Sequence, residues 1–139
     1  MRRSYTLLAA VAVIALSGCG HLELAPEGDL ARVLVGRVQT DTDIPLPSGA
    51  EVTVRIVEPA MLGMPPRILG SQTIRNPGAT PVDFRVEYQA DDETLRRGLN
   101  IEARISWGGT LRFYNRNGYA VSLGNATDVH RVSVNPAGP

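Results

Sequence analysis

The chain has 139 residues, with 14 arginines, no lysine and 14 acidic residues, and is formally neutral. That length suits one domain whose core needs no disulfide or metal. The charge balance argues against a nucleic-acid partner and against polybasic attraction to acidic lipid.

Arg2 and Arg3 precede an apolar run from Leu7 to Leu16, a charged n-region followed by the h-region of a signal peptide. The run is about half the ~20 apolar residues a spanning helix needs. Leu16-Ser17-Gly18-Cys19 ends it in the pattern of a bacterial lipobox and holds the only cysteine. Small residues let the chain lie extended in a peptidase cleft. The Cys19 thiolate can form a thioether to diacylglycerol, and its freed α-amine can take a further acyl chain. Two or three chains anchor stably where one binds only marginally. The expectation is a signal peptide over 1–18, lipidation at Cys19 and a tether over 19–30 that reaches roughly 35 Å when extended. Gly20 is not the aspartate that typically holds lipoproteins at the inner membrane, which points to the outer membrane, periplasmic face. The competing reading is a secreted protein with a stray cysteine.

Residues 31–139 read as one all-β domain. Strands are expected at 32–38 (Val33 and Val35 on one face), 51–58 (Val52, Val54 and Ile56 inward), 68–74 and 81–88 (Val82, Phe84, Val86 and Tyr88 inward). Asp92–Gly98 suits one helical turn capped by Asp92 and ended by Gly98. A strand at 99–107 places Leu99, Ile101, Ala103, Ile105 and Trp107 inward. Gly108-Gly109 and Asn117-Gly118 are hairpin signals leading into 110–116 and 119–123. A last strand covers 128–134, and 135–139 should fray. About eight mostly antiparallel strands with one helical turn predict a single small β-sandwich or partly closed barrel.

No catalytic constellation, metal cluster or cofactor motif emerges, so no enzyme and no cofactor is expected. His130 is alone on its strand, a structural or solvated residue. Asp41-Thr42-Asp43 lacks the glycine and distal glutamate of a calcium loop. The partner-binding candidates are Met61, Leu62 and Met64, in a proline-flanked loop with adaptable methionines, and Tyr114, expected to face outward beside Arg112 while Leu111 and Phe113 face the core. The plainer alternative folds the loop back over one end of the sandwich. A carbohydrate-binding sandwich is disfavoured by the scarcity of outward aromatic residues.

Motif order then carries a resemblance. Ile44-Pro45-Leu46-Pro47-Ser48-Gly49-Ala50 leads into Glu51-Val52-Thr53-Val54. Next come Ile68-Leu69-Gly70-Ser71-Gln72-Thr73-Ile74, the Phe84 strand, Ile101-Glu102-Ala103-Arg104-Ile105 and Gly109-Thr110-Leu111-Arg112-Phe113. Over about residues 31–134 this order resembles the YscW/YbaY family of small Gram-negative lipoproteins. The resemblance implies a lipid-anchored β-sandwich. In one branch it is a pilotin of type III secretion, which binds a secretin and assists its outer-membrane localisation and assembly. In the YbaY-like branch it is a non-catalytic envelope lipoprotein of undefined role.

Overall fold

Alternating apolar and polar residues make strands with one dry face, and nine strands and one short helix form two facing sheets in a computed structural model describing residues 30–138. The expected signal peptide, Cys19 and the expected tether up to residue 29 lie outside the described residues. The small sheet has the order β4-β1-β8: β1 (Ala31–Gln39) pairs antiparallel with β4 (Val82–Gln89) and parallel with β8 (Val129–Ser133). The large sheet runs β3-β2-β5-β6-β9, from β3 (Arg67–Arg75), β2 (Glu51–Glu58), β5 (Leu99–Trp107), β6 (Thr110–Tyr114) and β9 (Asn135–Pro136). β7 (Ala120–Val121) also pairs with β5. The sheets do not close into a barrel.

The core lies between the sheets. Leu34, Val38, Val82, Phe84, Val86, Tyr88 and Val132 face Val52, Val54, Ile56, Leu99, Ile101, Ala103 and Ile105. The inward sets expected on β2 and β4 are buried. β1 carries apolar residues on both faces: Leu34 and Val38 point in, while Val33 and Val35 point out. At one corner the sheets nearly touch. A Cβ on Gly70 would stand 2.3 Å from the Glu87 carbonyl oxygen, so only glycine lets β3 pass β4 there. Beside it, the Arg85 N–H donates to Gln72 Oε1 at 2.8 Å, giving an unpaired β4 amide a side-chain acceptor.

Several local expectations change. Asp91, not Asp92, caps α1 (Asp92–Arg97), accepting from the Thr94 N–H at 2.7 Å. A bulge between Ile105 and Ser106 shifts the β5–β6 register. The extra residue turns Leu111 out to solvent, while Phe113 remains half-buried on the core edge. Trp107 is likewise half-buried, tilted against Phe113 at 6.2 Å with Arg112 over its ring. Asn117-Gly118 turns the chain, but β6 and β7 pair with β5 rather than with each other. Between them the Asn115 side chain takes the place of a strand, accepting from the Ala103 N–H at 2.9 Å and donating to the Ile101 carbonyl at 2.7 Å. The tail does not fray at once, because Asn135 and Pro136 complete the edge beside β6.

Candidate protein and membrane interface

The loop of residues 59–66 does not fold back over the sandwich. Met64 N–H donates to the Met61 carbonyl at 2.8 Å and Met61 N–H to the Met64 carbonyl at 3.1 Å. Leu62 and Gly63 are thereby left as a two-residue turn, with Gly63 at φ +79°. Pro59, Pro65 and Pro66 stiffen the stem. Leu62 is fully exposed, Met61 is 42% exposed and Met64 58%. At the base, Pro59, Met61, Met64, Pro65 and Pro66 line an apolar hollow of about 150 Å³.

Buried charge anchors that stem. Glu58 accepts from Arg97 on α1 at 3.0 Å and from Arg67 at 2.8 and 3.1 Å. The Arg97 hydrogen bond above all holds the Glu58 carboxyl below its ordinary value; burial opposes it and Arg67 assists. Arg97 is raised in turn by Glu58.

Tyr114 is less available than its parity suggests. It is half-buried, with the Arg116 guanidinium 5.6 Å above its ring. The structure does not bring Tyr114 and the methionine loop together: Tyr114 pairs with Arg104 midway along β5, whereas the loop leaves the end marked by Glu58.

A second apolar surface escaped the sequence reading. Val35 and Val129 are direct partners across β1 and β8, and Val33 continues the strip. Val129 is 71% exposed. Among the described residues β8 pairs on one side only, with β1. Arg37, Arg131 and Asp83 border a shallow depression of about 450 Å³ beside it. The sequence signal was Val33-Leu34-Val35, an apolar run too continuous for a strand with one wet face.

His130 is buried rather than solvated. Its Nδ1 lies 3.2 Å from the Tyr119 hydroxyl and the two rings meet edge-on at 5.3 Å. Burial lowers its pKa, with Asp128 and an Asn125 backbone hydrogen bond opposing.

Residues 30–134 match the family described as type III secretion system lipoprotein chaperone (YscW). The chain belongs to the YscW family. Its two-sheet domain is that family's domain, and the resemblance carried by the turns and alternating strands is established. Among solved structures, the YscW-family chain is similar to an alternative pilotin from the type II secretion system of Vibrio cholerae. The TM-score is 0.64 at 23% identity, over 79% of this chain and all of that one. At that identity the likeness is one of fold. No curated protein matches the chain.

Proposed function

We propose that this chain is a lipid-anchored, non-catalytic chaperone of the pilotin kind. Acyl chains on Cys19 hold it at the periplasmic face of the outer membrane. Its domain binds a secretin subunit and assists that subunit's localisation and assembly in type III secretion. The observation that carries the reading is the family match, which spans nearly all of the domain. The fold shared with a pilotin supports it.

For the secretin contact we favour the Val33, Val35 and Val129 strip beside the free side of β8. Apolar surface, an unpaired strand edge and bordering arginines together suit an extended or amphipathic segment of a partner chain.

The test is envelope cross-linking followed by capture of the lipidated protein. The secretin is expected among the captured partners, and Val129→Asp should reduce its recovery without unfolding the domain. Cys19→Ser should leave the domain folded and strand the secretin in the inner membrane. Normal secretin multimers in the outer membrane of that mutant would refute the reading. Capture without any secretin, together with an envelope defect on deletion, would favour the YbaY-like envelope module instead.

A further inference from the structure

Six of the exposed large apolar residues converge on one end of the sandwich. Leu30 is there because its carbonyl accepts from the Ala90 N–H at 3.1 Å, where β4 runs into α1. Arg32 ties the same place to α1 through Asp92 at 2.6 Å. Glu58 brings the Met61–Met64 hairpin to α1 through Arg97, and Ile68 follows the hairpin on β3. Leu123 lies just beyond β7, whose Val121 pairs with Leu99 at this end of β5. Leu30, Met61, Leu62, Met64, Ile68 and Leu123 are all exposed. Trp107, Gly108 and Gly109 are at the opposite end, about 25–30 Å away along nine-residue β5.

We infer that this end faces the lipid surface and that the Met61–Met64 hairpin inserts into it. The inference rests on acylation of Cys19, part of the functional reading above. Ten residues lie between Cys19 and Leu30. The stretch can span at most roughly 35 Å. The chain enters the domain at the apolar end, so the anchor draws that end toward the bilayer in preference to the Trp107 end.

The hairpin has the shape such a contact needs. It is convex, stiffened by prolines, and carries Leu62 at its tip with a methionine on either side. Charges around it balance: Glu58 pairs with Arg67 and Arg97, Asp92 with Arg32 and Glu93 with Arg97 at 3.0 Å, while the exposed Arg96 is offset by the helix-capping Asp91. Insertion is therefore apolar in origin, needs no anionic lipid and resists salt. This assigns Met61, Leu62 and Met64 to the membrane and leaves the sides of the sandwich to the protein partner.

The test uses the full acylated protein in phosphatidylethanolamine and phosphatidylglycerol vesicles, with and without acyl-brominated phosphatidylcholine. Leu62→Trp adds a probe at a position too exposed to disturb folding, and native Trp107 is the reference. In a Leu62→Trp, Trp107→Phe chain, most of the emission should be lost to the brominated lipid, equally at low and high salt. In the wild-type chain Trp107 should be unaffected. If the double variant folds poorly, Leu62→Cys carrying an environment-sensitive dye replaces it, the Cys19 thiol being consumed as a thioether. An unquenched probe on acylated protein overturns the inference, as does a probe that becomes buried only when secretin is added. Mass spectrometry showing Cys19 unmodified would overturn both this inference and the anchor. Quenching at position 62 without any captured secretin would leave this inference standing and defeat the chaperone reading alone.

Discussion

Glu58 and Arg97 are 39 residues apart in the chain and 3.0 Å apart in space. Their contact pins the stem of the methionine hairpin to the helix beside the first strand. It exists because Glu58 continues the inward parity of Val52, Val54 and Ile56 on β2, which leaves its carboxylate nearly buried where two guanidinium groups reach it.

The folded Glu58 carboxyl has a lowered pKa, so its contribution is fully present above the ordinary glutamate value and is lost as pH falls through the lower folded value. Glu58→Gln should cost about 1–3 kcal/mol at neutral pH, because hydrogen bonds to a charged group are replaced by weaker ones. The variant should also lose part of the acid-limb dependence of the thermal midpoint, the share of Asp91, held low by its hydrogen bonds to Thr94, remaining. Circular dichroism melts from neutral pH to about pH 3 check both.

His130 acts in a different pH window. Burial depresses its folded pKa, so the unfolded chain binds the proton more tightly. Stability should begin to fall as pH drops through the ordinary histidine value, about 6.5, and should stop falling below the lower folded value. His130→Phe keeps a ring against Tyr119 and removes the titration. Its melts should be flat across that window while the Glu58 limb persists.

Gly36 is a third point of tight constraint. A Cβ there would stand 2.2 Å from the His130 carbonyl oxygen and 2.7 Å from Phe84 Cζ. The backbone oxygen cannot give way without parting β1 from β8. Gly36→Ala should therefore destabilise by about 3 kcal/mol or more, or prevent folding. Denaturant unfolding beside Gly124→Ala, where the nearest atom is a serine hydroxyl at 3.8 Å, gives the comparison.

Asn115 closes the gap that β6 and β7 leave along β5. Asn115→Ala removes an acceptor from the Ala103 amide and a donor from the Ile101 carbonyl. A loss of about 2–3 kcal/mol is expected, two hydrogen bonds at about 1 kcal/mol each plus the cost of leaving buried groups unpaired. Hydrogen exchange should accelerate at Ala103 more than at Val54 on the neighbouring strand.

The alternation of Val52, Val54 and Ile56, and of Val82, Phe84, Val86 and Tyr88, was enough to define those strands and their dry faces. A period of two is a local property that any buried sheet must satisfy. Strand pairing was far less legible. The strand at Asn135 and Pro136 depends on an open edge beside Phe113 and Tyr114, more than twenty residues away, and no local pattern announces it. The outward turn of Leu111 has the same origin, a register shift against β5 that parity counting passes over.

The candidate surfaces divide likewise. Three apolar residues among prolines marked the Met61–Met64 loop, but whether they fold back or project depends on what packs beneath. Here the Glu58 ion pairs fix the stem and the paired Met61 and Met64 backbones close the turn beyond it. Val35 became a surface residue only when Val129, ninety-four positions on, was laid beside it. The sequence by itself determined the β class, most strand positions, the family resemblance and the lipobox pattern, because each is written in neighbouring residues. The tertiary structure decided which apolar faces stay uncovered and that Leu30, α1 and the hairpin share one end. Those facts depend on contacts between residues dozens of positions apart, whose partners are chosen by packing.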